Sequence, residues 1–350
     1  MEEFARHETA LLVAVDPELE PLGEQLRAIV GRGKRLRAAF CYWGWRAAGR
    51  PDGDGIVRAA AAVELVHAAA VVHDDLIDRS AVRHGLPTAH RALAPRAGVR
   101  ARRTGRAAAG RALALLAGDL LIAWSAQLFG ACGLPGAYLG RARPLWATLA
   151  RELVAGECLE VLRTGADGDP VRAGDGDDCA RSLQIVRYKT AKYTVEHPLH
   201  LGGVLGGAPP ELVSAFSRYG LPLGEAFQLR DDLLGVFGCP GTTGKSNLDD
   251  LRGAKPTVLS TLMRRGATDA ERRELGVLLA GGGALGPDEL ARYREIAERT
   301  GARRGVEALI SARAATAAEA VAAARRTGLL APHCAEALDA LAGHCLARAS

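Results

Sequence analysis

Val71-Val72-His73-Asp74-Asp75-Leu76-Ile77-Asp78 is an apolar stretch that carries three aspartates, and Ala226-Phe227-Gln228-Leu229-Arg230-Asp231-Asp232-Leu233-Leu234 is a second stretch of the same kind. On a helix, Asp74 and Asp78 lie one turn apart on the same face. Like charges at this spacing repel each other, and burial among apolar side chains raises the cost unless they are neutralised. Because Mg²⁺ in proteins is bound by one or two carboxylates together with substrate phosphates, the two stretches predict a magnesium-diphosphate site on helices.

The rest of the chain also has the pattern of a helical protein. Its 350 residues are 48% hydrophobic, helical periodicity dominates, and strand patterns are nearly absent. Segments rich in glycine and proline separate the helices. Without a shift in composition along the chain, we expect one all-α domain over residues 1–350. The predicted helices cover 16–31, 34–49, 53–80, 107–131, 138–162, 178–206, 210–237, 255–265, 268–281, 287–300, 303–325 and 332–348.

Composition argues against several classes of protein. The net charge is only +5, which does not favour nucleic acid as a partner, and the seven cysteines form no CxxC pair, which favours reduced thiols. Met1-Glu2-Glu3-Phe4 lacks the basic and then apolar order of a signal peptide. No uninterrupted apolar run approaches the roughly 18–20 residues of a membrane span. We therefore expect a soluble, cytoplasmic protein without a membrane span.

Lysine is rare and unevenly placed. Only five of the 45 basic residues are lysines, and four of them, Lys34, Lys189, Lys245 and Lys255, fall in polar or glycine-bearing segments. Because lysine is a compact charge that binds phosphate well, this placement favours phosphate binding, with chance as the alternative. The segment Arg91–Arg111 carries seven arginines and no acidic residue, and is interpreted either as a solvated loop or as a basic lip for an anionic substrate.

The order of motifs between about residues 30 and 260 resembles that of the trans-isoprenyl diphosphate synthases, or polyprenyl synthetases. The resemblance implies an all-α, isoprenoid-synthase-type helical bundle around a central cavity. It also implies a homodimer that joins isopentenyl diphosphate to an allylic diphosphate. The motifs that carry it are Gly33-Lys34-Arg35-Leu36-Arg37, Glu64-Leu65-Val66-His67, Asp74-Asp75-Leu76-Ile77-Asp78, Arg83-His84-Gly85-Leu86-Pro87-Thr88, Ala117-Gly118-Asp119-Leu120-Leu121, Lys189-Thr190, Phe227-Gln228-Leu229-Arg230-Asp231-Asp232, Gly244-Lys245 and Asp249-Asp250-Leu251-Arg252-Gly253-Ala254-Lys255.

The family pattern assigns roles to individual residues of this chain. It implies three Mg²⁺ ions per active site, bound by Asp74, Asp75, Asp78, Asp231 and Asp232. The cations for the allylic diphosphate would be Arg83, Lys189, Lys245 and Lys255. The isopentenyl diphosphate site would comprise Lys34, Arg37 and His67, together with His84. Thr190 and Gln228 would place partial negative charge near the carbocation. The residues expected to carry the chemistry are thus Asp74, Asp78, Asp231, Lys189, Thr190 and Gln228.

Four positions depart from the family pattern. Gly235 replaces the third aspartate of the second motif, and His84 replaces the second of two arginines, where a side chain with a pKa near ~6.5 is a weaker phosphate partner at neutral pH. Ala38 replaces a proline, and Glu157 stands where the family often has glutamine. Two alternatives therefore stay open: a terpene cyclase or irregular coupling enzyme on the same scaffold, and a non-catalytic partner subunit.

The length of the product is predicted from side-chain size. Family members that stop at fifteen carbons place aromatic residues four or five positions before the first motif, where this chain has Ala70 and Ala69. Ala68 is also small, so a growing chain would pass this point and stop deeper, at Val66 or Leu65 or at another helix. The sequence favours a twenty-carbon product, geranylgeranyl diphosphate.

Overall fold

The computed structural model describes residues 1–96, 105–164, 178–238, 255–280 and 286–347. Within these ranges the backbone is helical almost throughout, and the only strands form one short hairpin. The prediction of an all-α protein is therefore confirmed. The chain divides into two compact units. Unit 1 comprises Met1–Tyr42 and Pro51–Leu139, and unit 2 comprises Trp43–Arg50 and Gly140–Ser350.

Unit 1 contains the first aspartate motif, at the C-terminal end of a long helix that is mostly buried. Its elements are α1 (Glu2–Val15), a 3₁₀ turn (Pro17–Leu19), α2 (Glu20–Val30), the start of α3 (Leu36–Ala47), α4 (Asp54–Ile77), β1 (Val82–Arg83), β2 (Leu86–Pro87), α5 (Ala89–Leu93), a second 3₁₀ turn (Ala94–Arg96) and α6 (Arg106–Gly130). Helix α1 was not predicted, although its two acidic first-turn residues suit the positive end of a helix dipole.

Helices α4 and α6 form the main packing interface of unit 1. Both present small residues to the interior: Ala59, Ala62, Ala114 and Ala117 are fully buried. At Gly118 the contact is very close, because a Cβ there would lie 2.1 Å from Nε2 of His73 and would force this ring to move. Small side chains thus let the two helices approach closely and fix the segment that leads into Asp74.

The same two helices are long and apolar enough to cross a membrane by length and composition alone. In α4, 61% of the most apolar window is buried inside the protein, and in α6 the figure is 44%. Burial of this extent is usual for core helices of globular proteins. The absence of a membrane span stays a prediction.

Unit 2 contains the second aspartate motif and an unusual π-helix. Its elements are most of α7 (Gly136–Arg163), α8 (Asp178–Ile185), the π-helix (Val186–Glu196), α9 (His197–Gly206), α10 (Pro210–Phe237), α11 (Val258–Gly266), α12 (Asp269–Ala280), α13 (Pro287–Arg299), α14 (Ala302–Arg326) and α15 (Pro332–Leu346). The sequence predicted one regular helix over 178–206, which is wrong in its central eleven residues. Long π-helices are rare, and short ones often occur at functional sites.

Helix α10 occupies the centre of unit 2 and packs against both the π-helix and α14. Its buried apolar side chains, among them Leu229 and Leu233, join a core with Val258, Met263 and Ile296. The second motif therefore lies on a helix whose apolar face is fixed in the interior, which leaves its polar face for chemistry.

Candidate active site

The first aspartate motif lies where α4 ends. The helix stops at Ile77, and the N–H group of the capping residue Asp78 donates to the carbonyl oxygen of Asp74. Asp74 and Asp78 each offer a carboxylate oxygen, and these oxygens lie within 4.8 Å of each other. Asp75 is buried. The spacing that the sequence predicted is therefore present as a pair of neighbouring carboxylates.

The hairpin after α4 brings Arg83 back onto this motif. Val82 pairs with Pro87 and Arg83 with Leu86, and the two-residue turn between the strands has positive φ at His84 (52°) and Gly85 (75°), as a type I′ turn requires. Nη2 of Arg83 donates to Asp74 at 2.8 Å, and Nε donates to Asp75 at 2.8 Å. The predicted diphosphate cation thus pairs with two carboxylates of the first motif, while His84 lies exposed in the turn.

The basic motif before α3 is anchored by a buried carboxylate. Lys34 is exposed ahead of the helix, and Arg37 is buried in its first turn. The N–H group of Ala38, in the same turn, donates to Oε1 of buried Glu64 on α4 at 2.9 Å. A carboxylate at this end of a helix satisfies an unpaired backbone donor and suits the helix dipole. His67, three residues after Glu64, is half-buried on α4.

In unit 2 the structure brings Thr190, Gln228 and Asp232 into one hydrogen-bonded chain. The hydroxyl of Thr190 donates to Oε1 of Gln228 at 2.8 Å, and Nε2 of Gln228 donates to Oδ1 of Asp232 at 2.7 Å. Asp231 lies beside Asp232 on α10, half-buried, and Gly235 follows one turn later. Three residues predicted from two separate motifs are therefore neighbours on the π-helix and α10.

Lys189 lies between two glutamates of α7. Its Nζ is 2.6 Å from Oε1 of Glu160 and 2.9 Å from Oε2 of Glu157. Glu160 also lies 3.7 Å from Nζ of Lys255, so one carboxylate holds two of the predicted diphosphate cations. Sequence reasoning missed Glu160. The signal was present, because the spacing Glu157-x-x-Glu160 places both carboxylates on one helix face.

Glycines let the π-helix pack backbone to backbone against its neighbours. A Cβ on Gly156 of α7 would lie 2.2 Å from the backbone nitrogen of Lys189. A Cβ on Gly224 of α10 would lie 2.5 Å from Cα of Ala191. These contacts leave no room for a side chain, so the segment that carries Lys189 and Thr190 is held at short range from both sides.

The π-helix also takes part in a partly buried ionic cluster. Oε2 of Glu152 accepts from Nζ of Lys192 at 2.7 Å and lies 2.8 Å from Nε2 of His197. Burial would raise the pKa of Glu152, but the hydrogen bonds from Lys192 and His197 outweigh it and hold that pKa below its usual range. Burial lowers the pKa of His197 despite the nearby carboxylates, and it lowers the pKa of His200 to about 4.

Several predicted residues lie outside the described ranges. Among them are Gly244, Lys245, residues 249–254 and the centre of the basic segment 91–111. At the ends of that basic segment, residues 91–96 and 106–111 belong to helical elements.

Comparison with known proteins decides the family. Residues 20–289 match the polyprenyl synthetase family model. The chain belongs to the polyprenyl synthetase family. It is accordingly an enzyme that transfers prenyl groups, a trans-polyprenyl diphosphate synthase. The matched range includes both aspartate motifs and parts of both units.

Curated relatives share the family but differ in product. The chain is 33% identical over 278 residues to a (2E,6E)-farnesyl diphosphate synthase of Mycobacterium tuberculosis, which covers 79% of this chain and 70% of the relative. It is 30% identical over 284 residues to a geranylfarnesyl diphosphate synthase of Aeropyrum pernix, which covers 80% of each chain. Similarity to these relatives therefore does not select one product length.

Solved structures agree with the fold. A geranylgeranyl pyrophosphate synthase from Corynebacterium glutamicum, complexed with isoprenyl diphosphate and magnesium, superposes with a TM-score of 0.83 at 30% identity, over 99% of this chain and 98% of that chain. A polyprenyl synthase from Caulobacter crescentus, complexed with calcium and isoprenyl diphosphate, gives a TM-score of 0.75 at 25% identity, over 99% and 98%. The predicted isoprenoid-synthase-type fold is confirmed.

The residues of the first motif fit the divalent metal that this family uses. Hard cations such as Mg²⁺ prefer oxygen ligands, and Asp74 and Asp78 supply carboxylate oxygens close enough to share one ion. Arg83 offsets part of this negative charge.

Proposed function

We propose that this enzyme condenses an allylic diphosphate with isopentenyl diphosphate, head to tail, and forms geranylgeranyl diphosphate as its main product. The observation that carries the proposal is the chain Thr190–Gln228–Asp232 on the π-helix and α10, which begins at the residue next to Lys189. This order places a cation, a hydroxyl, an amide and a carboxylate next to one another. Such an arrangement suits a reaction that separates a carbocation from a diphosphate.

The metal site would use all five aspartates of the two motifs. We assign three Mg²⁺ ions to Asp74, Asp75, Asp78, Asp231 and Asp232. When bound, these ions neutralise the charge that develops on diphosphate as the allylic C–O bond breaks. Arg83, Lys189, Lys245 and Lys255 would add fixed positive charge for the same leaving group.

Thr190 and Gln228 have geometry that suits a carbocation. The Thr190 hydroxyl donates its hydrogen bond to Gln228, so the lone pairs of its oxygen stay available to face positive charge. Loss of diphosphate from the allylic substrate leaves the cation at C1, which alkylates the double bond of isopentenyl diphosphate. A proton then leaves the new chain for the departing diphosphate, so no separate general base is needed.

The isopentenyl diphosphate site is assigned to Lys34, Arg37 and His67, with His84 as a fourth contact. Lys34 is exposed, and Arg37 is held in the first turn of α3. The helix dipole adds positive potential at that turn. This arrangement supports binding of a second diphosphate in addition to the allylic one.

Small side chains before the first motif support a long product. On α4, Ala69 is buried while Ala68 and Ala70 are half-buried, so an aromatic stop is absent from this stretch. Leu65, one turn earlier, is fully buried. We assign the end of the product tunnel to this deeper turn, which favours twenty carbons.

Exposed apolar side chains support a homodimer. Helices α6 and α7 each present several large hydrophobic residues to solvent, and exposed apolar surface is typical of protein interfaces when it forms a patch. We propose that these residues contact a second copy of the chain. The residues concerned are Leu115, Leu116 and Ile122 on α6 and Val154, Val161 and Leu162 on α7.

We also propose that the protein acts in the cytoplasm and that residues 1–350 function as a single domain.

One assay tests the proposal and separates its rivals. The purified protein with Mg²⁺ and isopentenyl diphosphate is given dimethylallyl, geranyl or farnesyl diphosphate in turn, and the products are identified by mass spectrometry. We expect geranylgeranyl diphosphate from each primer. In a separate incubation with Mg²⁺ and geranylgeranyl diphosphate alone, formation of a hydrocarbon would favour a cyclase, for which the departure at His84 is the supporting feature. No turnover with any primer would favour a non-catalytic subunit, consistent with Gly235.

A further inference from the structure

Glu225 is a buried carboxylate that joins three helices of unit 2. Its side chain on α10 is only 3% exposed. Nε and Nη2 of Arg187, on the π-helix, donate to its Oε1 at 2.9 and 2.7 Å. Nε of Arg313, on α14, lies 2.7 Å from its Oε2, at an angle that makes this a charge contact rather than an aligned hydrogen bond. One carboxylate thus holds two guanidinium groups from different elements.

This link lies next to the proposed catalytic groups. Arg187 precedes Lys189 by two residues and Thr190 by three, and Glu225 precedes Gln228 by three. The Arg187–Glu225 and Thr190–Gln228 contacts therefore tie the π-helix to α10 at two successive points. Only the second point contains groups assigned to the reaction.

Backbone packing does not by itself fix the rotation of the π-helix. Gly220 and Gly224 let the backbones touch, which sets the distance between the helices but supplies no directional bond. A π-helix is also an uncommon form for eleven residues, so directional side-chain links are needed to keep one orientation. Arg187–Glu225 is such a link: its carboxylate is buried, while the guanidinium of Arg187 is partly exposed.

We propose that Glu225 is a positioning residue, which holds, through Arg187, the orientation of the π-helix at which Lys189 and Thr190 act. The inference rests on the proposed function, since it assigns those two side chains to the reaction. Errors of about 1 Å in the placement of reacting groups reduce rates by roughly 10²-fold. Glu225 would therefore affect catalysis without touching substrate.

The variant Glu225→Gln keeps the size of the side chain and removes its charge. We expect kcat, measured well below the melting temperature, to fall about 10–100-fold, while KM for isopentenyl diphosphate stays within about twofold. The backbone amides of residues 186–196 should exchange hydrogen faster than in the wild type, and this increase should be larger than elsewhere in unit 2. Arg187→Gln should have the same effect, and the double variant should be no worse than either single one, because both changes break one contact.

Controls separate this inference from a general loss of stability. Arg326→Gln breaks the exposed Arg326–Glu319 pair on α14 and should leave kcat and exchange unchanged. A merely structural role would lower the melting temperature of Glu225→Gln but leave kcat unchanged, and that result overturns the proposal. If Glu225→Gln does not fold, Arg187→Lys, which keeps the charge but loses the planar fork, takes its place under the same criteria.

Failure of the function and failure of the inference give different results. Wild-type turnover that is lost in Lys189→Ala but retained in Glu225→Gln would leave the function standing and overturn the inference. If the wild type transfers no prenyl group, the function fails. Hydrogen exchange then tests the inference by itself, because unchanged protection of the amides of residues 186–196 in Glu225→Gln would exclude a positioning role for Glu225.

Discussion

Nη2 of Arg83 lies 2.8 Å from Oδ2 of Asp74. A residue assigned to the diphosphate therefore binds a residue assigned to the metal. The contact offsets the repulsion between the carboxylates of the first motif. The hairpin that carries Arg83 holds its side chain next to these carboxylates. We infer that metal and substrate binding change the partners of this arginine.

Arg83→Gln should make the first motif more dependent on metal. In the wild type, Arg83 offsets carboxylate charge even when EDTA has removed divalent metal. Without this arginine, the protein should lose about 1–3 kcal/mol of stability in EDTA, and Mg²⁺ should raise its melting temperature by more than in the wild type. Calorimetry with and without Mg²⁺ measures both effects. Arg58→Gln, at an exposed position near the start of α4, is the matched control. An equal Mg²⁺ shift in Arg83→Gln and wild type would contradict this account.

Removal of either leading aspartate should abolish most of the activity. Asp74→Ala and Asp231→Ala each delete a proposed ligand for the ions that stabilise the leaving group, so kcat should fall by about 10²–10³-fold or more. Circular dichroism should show that the helical fold survives. Asp269→Asn, which changes an aspartate on the surface of α12, should retain full activity. Near-normal rates in both alanine variants would remove the two motifs from the mechanism.

Ala70→Phe should shorten the product. An aromatic ring at this half-buried position of α4 would block a chain beyond fifteen carbons, so farnesyl diphosphate should become the main species in the product profile. Val57→Phe, on an exposed part of the same helix, tests for non-specific effects and should leave the profile unchanged. A persistent twenty-carbon product in Ala70→Phe would place the limiting residue on another helix.

Stability should fall on the acid side because of His200. Burial is the main cause of its lowered pKa, about 4, against 6.5 for the ordinary side chain. Below pH 6.5 the unfolded chain takes up a proton that the folded protein resists, so stability decreases as the pH falls towards 4, by roughly 3 kcal/mol in total. Denaturation with urea across this range measures the loss. His200→Gln should flatten the slope, whereas His344→Gln, at an exposed position, should not.

Gly156→Ala should displace the segment around Lys189. The added Cβ would lie 2.2 Å from a backbone nitrogen, and overpacking of this kind costs about 1–3 kcal/mol. We expect a lower melting temperature and a marked loss of kcat. Gly140→Ala on the same helix meets nothing within 4 Å and should stabilise the protein by up to about 1 kcal/mol, through better helix propensity. Wild-type activity in Gly156→Ala would show that this contact is not needed.

Local patterns in the chain were enough to predict the main helices. The sequence predicted a helix over 210–237, and α10 spans Pro210–Phe237. It predicted 53–80 for the helix that carries the first motif, where α4 spans Asp54–Ile77. These helices are determined by apolar periodicity and by glycine and proline at their ends, which are properties of neighbouring residues.

The contacts of the polar residues depended on tertiary structure. The pairing of two lysines with Glu160 and the Arg187–Glu225 link join residues far apart in the chain, and no local pattern specifies which side chains will meet. The sequence by itself determined most of the helices, the aspartate spacing and the family. Which cation neutralises which carboxylate was decided only by packing, because the energy of a charge pair depends on distance and burial, and both are set by the whole fold.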